Sequence, residues 1–276
     1  MADRPPTDAA SAPTHTPTWQ RAQWLRWAGL PLLLLAVTLP LLPAQQPLFL
    51  QLNHLAAAEP EALWAFCTLL GDTNVLFALL SPLLLWRPQA AMAAMAAVPA
   101  GGLFSVLAKH WFDAPRPGGV LDVAQFHLIG PLLSTHSFPS GHTITAFAAT
   151  SAVLATLAPP LGPRKGTALM LLLISAAAAV GFSRVAVGAH WPLDVLVGAC
   201  GGWLAGLSGA WLTRRFPAFW QSLTSQRILA GLWAAIGIWL VWRPLDYPQG
   251  IAAIWLAAGC SWLTVAVLLL RWRQTR

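Results

Sequence analysis

Two uncharged stretches decide the fold: TITAFAATSAVLATLA at residues 143–158 and TALMLLLISAAAAVGF at residues 167–182. Each approaches the length of about 17–25 apolar residues that an α-helix needs to cross a bilayer. The short segment between them contains Arg164 and Lys165, so we expect it at a membrane surface. The two stretches therefore predict a pair of membrane-spanning helices joined by a basic loop.

Six more apolar segments flank this pair. They cover residues 27–43, 62–86, 89–108, 193–212, 228–242 and 251–270. The composition agrees, because 57% of the residues are hydrophobic, only 9% are charged and the mean hydropathy is +0.61. Such a chain is neither disordered nor an ordinary soluble domain. The sequence thus predicts an all-α fold, a polytopic transmembrane helix bundle of eight helices that follows a disordered tail at residues 1–20. A signal peptide over the first apolar segment is the alternative interpretation.

The basic residues fall on alternate loops of this eight-helix layout. All but four of the 16 Lys and Arg residues lie on one side, which the positive-inside rule assigns to the cytoplasm together with both termini. The net charge of +7 is scattered between apolar segments, which disfavours nucleic-acid binding. The four exceptions on the outer face are Lys109, Arg116, Arg184 and Arg243.

Two outer loops carry the polar residues that indicate chemistry. The longer loop begins with KHWFDAPRPGG at residues 109–119 and ends with FPSGHT at residues 138–143. The next outer loop reads SRVAVGAHWPLD at residues 183–194. The candidate site residues that these loops bring to one membrane face are Lys109, Arg116, Ser140, Gly141, His142, Arg184, His190 and Asp194.

These residue types suit the binding and transfer of a phosphate group. Three fixed cations can neutralise a dianion, and Ser140 and Gly141 begin a helix whose unpaired N–H groups attract one. Asp194 follows His190 by four residues, so its carboxylate can orient one imidazole nitrogen and leave the other free to attack. With His142 nearby, one histidine would serve as nucleophile and the other as general acid.

No metal ion or other cofactor is expected from the sequence. Asp113, Asp122 and Asp194 are dispersed and lack a typical magnesium or zinc arrangement. The cysteines lie inside apolar runs without metal-ligand spacing. The predicted chemistry is therefore metal-independent.

Three motifs of this sequence resemble those of the type-2 phosphatidic acid phosphatases, which share their active site with the vanadium haloperoxidases. The motifs are Lys109 through Arg116-Pro117, Pro139-Ser140-Gly141-His142, and Ser183-Arg184 through His190 to Asp194. They occur in the family's order and with its internal spacing. The resemblance implies a six-helix membrane phosphatase domain, placed here at residues 21–213. Residues 214–276 would then form two extra C-terminal transmembrane helices and a cytoplasmic C-terminus.

The resemblance also implies a role for each site residue. His190 would attack phosphorus to form a phosphohistidine, and Asp194 would orient its ring. His142 would protonate the leaving oxygen and later activate water. The phosphate oxygens would be held by Lys109, Arg116, Ser140, Gly141 and Arg184.

The resulting hypothesis is a lipid phosphatase of the bacterial inner membrane with its active site at the outer, periplasmic face. It would hydrolyse a phosphomonoester or pyrophosphate of a lipid such as phosphatidic acid, phosphatidylglycerol phosphate, a polyprenyl pyrophosphate or a lipid A type anchor. A lipid phosphotransferase with the same intermediate and a non-catalytic transporter or scaffold are the alternatives. Its partners would be the lipid substrate and membrane lipids, and the oligomeric state is left open.

Other polar residues keep two interpretations each. Asp72, well inside the second segment, either makes a functional contact near the site or marks a helix break. Arg243 and Asp246, in the last outer loop, are expected either to form a surface pair or to be unrelated. The loop histidines share the outer face but are expected to be solvated; they are His110, His127 and His136. The two C-terminal helices could be a partner surface or packing.

Overall fold

The computed structural model describes residues 18–274, and it describes side chains from residue 29 onward except at residue 39. The predicted disordered tail at residues 1–20 lies outside the described residues except for its last three, which begin the first helix. Within residues 18–274 the chain forms helices and loops and no strand, which confirms the predicted all-α fold.

Most of the helices follow one another with short connections, and the long connection at residues 121–140 joins α8 to α9. They are α1 Thr18–Leu41, α2 Gln45–Ala56, α3 Glu61–Leu69, α4 Thr73–Leu80, α5 Leu83–Trp86, α6 Pro88–Ala96, α7 Val98–Phe112, α8 Pro117–Val120, α9 Gly141–Ala186, α10 Pro192–Arg215, α11 Pro217–Trp220, α12 Leu223–Trp242 and α13 Ile251–Gln274. Single 3-10 turns occur at Leu42–Ala44, Val123–Gln125 and Pro248–Gly250.

The long element α9 is two helices folded against each other. A straight helix of its 46 residues would measure about 69 Å, more than twice the apolar thickness of a bilayer. The break lies at Gly162, whose φ of 75° suits glycine. Beyond the break the chain returns, so that Phe147 and Leu154 of the first half pack in one cluster with Ala177 of the second. The basic loop predicted between residues 158 and 167 is therefore this turn.

The number of membrane crossings depends on how bent elements are counted. Five elements of the described chain are long and apolar enough to span, and two bent helix pairs raise the number to seven. The bends are 59° between α1 and α2 and 73° between α3 and α4. Because α9 contains two antiparallel halves, the count reaches eight, the number that the sequence predicts. The chain is an integral membrane protein.

Small residues let the two central helices approach closely. A Cβ atom on Gly202 of α10 would lie 2.9 Å from the Cα of Ile144 in α9. Close by, the Ser151 hydroxyl of α9 donates to the backbone oxygen of Trp203 in α10, at 2.8 Å. This contact holds together the two helices that carry most of the predicted site.

The two C-terminal helices form a hairpin on one flank of the bundle. Helices α12 and α13 pack against each other, and α13 packs against α3 and α4. Ala253, Ile254 and Ala257 of α13 share a buried cluster with Ala65 and Leu69 of α3. These are the two extra helices that the sequence predicts, and the division into domains at residues 20 and 213 stays a prediction.

Candidate active site

The predicted motifs meet where the N-terminus of α9 faces that of α10. Ser140 is the N-cap of α9, and its Oγ accepts hydrogen bonds from the backbone N–H and the hydroxyl of Thr143 at 3.4 and 2.9 Å. The backbone N–H of Ser140 donates to the carbonyl oxygen of Asp194 at 3.0 Å. Gly141 is the first residue of α9, so the free N–H groups of this helix open beside the third motif.

One carboxylate oxygen organises the centre of the site. Asp194 lies in the first turn of α10, and its Oδ2 is 3.2 Å from Nδ1 of His190. The same oxygen accepts from the Ser137 hydroxyl at 2.5 Å and from the backbone N–H of Trp191 at 2.9 Å. The predicted contact between His190 and Asp194 is present, and both side chains are buried. The ring of His190 is thereby held with Nε2 pointing away from the carboxylate.

Arg116 faces that second nitrogen. Its Nη1 lies 3.2 Å from Nε2 of His190 and donates to the backbone oxygen of Ala189 at 3.0 Å. Its Nε donates to the backbone oxygen of Thr135 at 2.8 Å. Because Nδ1 carries the proton and donates it in a hydrogen bond to Asp194, Nε2 carries a lone pair that accepts a hydrogen bond from Arg116. The atom predicted to attack phosphorus thus already lies beside a cation.

Arg184 is buried, and its backbone oxygen accepts from the backbone N–H of His190 at 3.1 Å. Its Nη1 donates to the Thr68 hydroxyl of α3 and to the Tyr247 hydroxyl, the latter at 3.1 Å. Its Nε is buried without an acceptor among the described residues. A buried guanidinium nitrogen without a partner is costly, so this edge of Arg184 is suited to an anion that the site would bind.

The remaining predicted residues complete the same group. Lys109, in the last turn of α7, and His142, in the first turn of α9, are both partly buried. Each interacts electrostatically with Arg116 and Arg184. The structure therefore brings all eight predicted residues together, while their chemical roles stay predictions.

His190 is kept neutral by its surroundings. Burial, and after it the charge of Arg116 and the other two cations of the site, holds the pKa of His190 well below its ordinary value of 6.5. A neutral imidazole with a free Nε2 lone pair is the form that acts as a nucleophile. Three cations around it favour a phosphate dianion as the group that is attacked.

An open cavity of about 330 Å³ adjoins His142. It is lined by polar groups of the break between α3 and α4 and by small residues of α6 and α7; among these are Gly71, Asp72, Asn74, Gly101 and Ser105. A Cβ atom on Gly71 would lie 2.8 Å from the Cβ of His142, so glycine is needed for this close approach. Gly71 was not identifiable from the sequence, because nothing along the chain signals contact with a motif 71 residues away.

Asp72 proves to mark a helix break. Its Oδ1 accepts from the backbone N–H groups of Asn74 and Val75 at 2.9 and 3.1 Å and so caps α4. Its Oδ2 lies 2.7 Å from Nη1 of Arg243. Of the two interpretations of Arg243 and Asp246, the surface pair is therefore wrong, because the fold carries the loop between α12 and α13 onto the break, where Arg243 pairs with Asp72.

Two further residues support the outer loops without a sequence signal. Ser137 holds Asp194, as described above, and it is fully buried. The buried carboxamide of Asn53 in α2 donates to the backbone oxygen of His127 at 2.9 Å and to that of Val185 at 3.1 Å. It also accepts from the backbone N–H of His127 at 2.7 Å. This residue ties the two outer loops together.

The loop histidines lie outside the group. His127 pairs with Glu61 at 3.2 Å, and His136 pairs with Asp113 at 3.6 Å on an exposed surface. His110 is exposed at the end of α7. Within the part of the chain that the structure describes, no three His, Cys, Asp or Glu side chains are placed to hold a metal ion.

Fold and site together define a polytopic membrane protein with a buried histidine that is surrounded by cations. Residues 89–218, just under half of the chain, match the model of the PAP2 superfamily, in agreement with the family that its motifs resemble. The match includes all eight site residues and ends before α12.

Two curated relatives share the motif region. The chain is 39% identical to undecaprenyl-diphosphatase from Sulfolobus acidocaldarius over 83 residues. This alignment covers 30% of this chain and 36% of the relative. It is also 39% identical to phosphatidylglycerophosphatase B from Escherichia coli K12 over 79 residues. This alignment covers 29% of this chain and 30% of the relative. The chain thus spans only about a third of the length of these relatives.

Two solved structures share the fold. The crystal structure of Aquifex aeolicus LpxE superimposes with a TM-score of 0.52 and 29% identity, covering 60% of this chain and 94% of that one. A transmembrane PAP2 type phosphatidylglycerolphosphate phosphatase from Bacillus subtilis gives a TM-score of 0.52 at 21% identity, covering 68% of this chain and 96% of that one.

Proposed function

We propose that this protein is a membrane lipid phosphatase that acts through a phosphohistidine at His190. The observation that carries the proposal is the orientation of that ring: Nδ1 faces Asp194 Oδ2 at 3.2 Å, and Nε2 faces Arg116 Nη1 at 3.2 Å. One imidazole nitrogen is anchored by a carboxylate, and the other faces a cation that attracts phosphate. This arrangement suits nucleophilic attack on phosphorus.

In the first step, Nε2 of His190 forms a bond to phosphorus while the bond from phosphorus to the lipid oxygen breaks. His142 gives its proton to the departing oxygen. The negative charge on the equatorial oxygens is stabilised by Lys109, Arg116 and Arg184, and by the N-terminus of α9. Asp194 stabilises the positive charge that develops on the imidazole of His190.

In the second step, water attacks phosphorus and the P–N bond to His190 breaks. His142, now neutral, takes a proton from the water, so both histidines return to their starting states. Every step uses groups of the chain itself, so the reaction that we propose requires no metal ion or cofactor.

A lipid is the substrate class that best suits a site within a helical bundle. The names of the relatives point to two lipid phosphate chemistries, a polyprenyl diphosphate and a phosphatidylglycerol phosphate. The membrane location of the protein favours a substrate that is itself embedded in the bilayer. Phosphatidic acid and lipid A type phosphates complete the panel to be tested.

The orientation that we propose places the site at the outer face of a bacterial inner membrane. It rests on the basic loops, which lie on the opposite side from the site and include the turn with Arg164 and Lys165. A reporter fused to the C-terminus should then report a cytoplasmic location, and an extracytoplasmic signal would reverse the orientation.

The decisive experiment measures phosphate release by the detergent-purified protein across the lipid panel, with a chelator present. Release should persist with the chelator and disappear in His190→Ala, while His110→Ala, an exposed histidine outside the site, should behave as the wild type. Incubation with phosphate-labelled lipid should give an acid-labile protein label that is lost only in His190→Ala. Phosphate appearing on a second lipid would instead identify a phosphotransferase. Full activity of His190→Ala, or activity abolished by the chelator, would contradict the proposal.

A further inference from the structure

The only tyrosine of the chain lies in the loop between the two C-terminal helices and contacts the site. Tyr247 is 4% exposed, and its hydroxyl accepts a hydrogen bond from Nη1 of Arg184 at 3.1 Å. The guanidinium carbon of Arg184 also lies 5.8 Å from the centre of the Tyr247 ring, within the range of a cation–π contact. A residue outside the segment that matches the superfamily therefore contacts a predicted phosphate ligand.

These contacts use only one end of the guanidinium. Nη1 donates its two N–H groups in hydrogen bonds to the hydroxyls of Thr68 and Tyr247. The Nε proton remains buried, and no group in the described part of the chain accepts it. The edge formed by Nε and Nη2 is the planar fork that arginine uses to bind two oxygens of one anion. Tyr247 thus binds Nη1 of Arg184 and leaves Nε and Nη2 available for a phosphate that binds side-on.

The loop that carries Tyr247 is fixed at several points. A Cβ atom on Gly130, whose φ is +80°, would lie 2.6 Å from the Tyr247 ring, so the ring packs directly on the outer loop. Arg243 pairs with Asp72 at 2.7 Å, beside the glycine that packs against His142. A Cβ on Gly250 would lie 2.7 Å from the backbone oxygen of Ala65, one helical turn before Thr68. A loop held this firmly can hold Arg184 in one orientation.

We propose that Tyr247 is a positioning residue, which holds Arg184 so that its Nε edge faces the bound phosphate. The two C-terminal helices would then complete the phosphate site of the core rather than serve as packing alone. This inference rests on the proposed function, because it assigns a task to the same phosphate site.

The test compares Tyr247→Phe with Trp242→Phe, a change at a residue of the same hairpin that is 82% exposed. Tyr247→Phe keeps the ring and its packing and removes only the hydroxyl. We expect its kcat/KM for the best lipid and its affinity for vanadate, measured by calorimetry, each to fall about tenfold. Trp242→Phe should match the wild type in both, and the Tm of both variants should stay within about 2 °C of the wild type.

A second comparison shows whether Tyr247 acts by positioning Arg184 or only stabilises the fold. In an Arg184→Ala background, Tyr247→Phe should cause no further loss, because the group that it positions is gone. An unchanged vanadate affinity in Tyr247→Phe, or an equal loss in both backgrounds, would overturn the inference. If the wild type binds vanadate but releases phosphate from no lipid, the proposed function fails, and the vanadate affinities still decide the role of Tyr247. If the wild type does not bind vanadate, the phosphate site is wrong and both proposals fall.

Discussion

Replacing Asp194 by asparagine should be a mild change, and the reason lies in which oxygen is used. His190 Nδ1, the Ser137 hydroxyl and the Trp191 N–H all approach the same atom, Oδ2. An asparagine must therefore place its carbonyl oxygen there, because its NH₂ group would meet three donors. The protonated nitrogen of His190 stays Nδ1, and Nε2 keeps its lone pair. Only the negative charge of residue 194 is lost.

The size of the effect follows from that loss. A hydrogen bond to a charged group is worth about 1.5–3 kcal/mol, against about 0.5–1.5 kcal/mol for a neutral one. The difference of about 1–1.5 kcal/mol in transition-state stabilisation corresponds to a fall in kcat of about five- to tenfold. In a serine protease triad, where the exchange gives the wrong tautomer of the histidine, the loss is about 10⁴-fold.

The assay is steady-state phosphate release from the best lipid of the panel, together with the rate of phosphohistidine formation. Asp194→Ala, which removes the anchor of the ring, should lose at least about a hundredfold in kcat. Asp113→Asn is the matched control, since Asp113 is exposed and its ion pair is with His136, outside the site. If Asp194→Asn is as inactive as Asp194→Ala, the amide nitrogen faces the ring and the reasoning from a shared oxygen is refuted.

Three other outcomes are expected. His142→Ala should slow the formation of the phosphohistidine about 10²-fold with a lipid and far less with p-nitrophenyl phosphate, whose leaving group needs no proton; equal losses in this first step would exclude His142 as the general acid. Gly71→Ala should lower activity, because its Cβ would lie 2.8 Å from the Cβ of His142, while Gly259→Ala in α13, with nothing within 4 Å, should not; similar kinetics of the two variants would contradict that contact. As the pH is lowered below 6.5, His190 becomes protonated in the unfolded chain but stays neutral in the folded one. The free energy of unfolding should therefore decrease by up to about 1.4 kcal/mol for each pH unit of acidification, and by less in His190→Gln. Identical pH dependence of Tm in the two proteins would speak against a lowered pKa for His190.

The site motifs could be located from the sequence because their chemistry is local. His190 lies four residues before Asp194, just ahead of the start of α10, so the short spacing already keeps the ring and the carboxylate close together. The two outer loops that carry the motifs are separated by two membrane-spanning segments, so both lie on the same face of the membrane.

The supporting residues could not be found in this way. Ser137, Asn53 and Gly71 are common residue types in ordinary segments, and each acts through a contact with a distant part of the chain. Asp72 and Arg243 are 171 residues apart, and only the packing of the C-terminal hairpin on α3 and α4 brings them to 2.7 Å. For that reason the sequence could not decide whether Arg243 pairs with its neighbour Asp246 or is unrelated to it, and the structure excludes the pair.

Hydropathy and motif spacing by themselves determined the all-α membrane fold, its eight apolar segments and the identity of the residues at its centre. Both signals are periodic or short-range, so they survive in a one-dimensional pattern. The tertiary structure alone decided how that centre is held: which oxygen of Asp194 is shared, which edge of Arg184 is free, and that Tyr247 reaches it from the C-terminal hairpin. Those features depend on helices packing side by side in the bilayer, where close approach of small residues sets the contacts between segments that are remote in sequence.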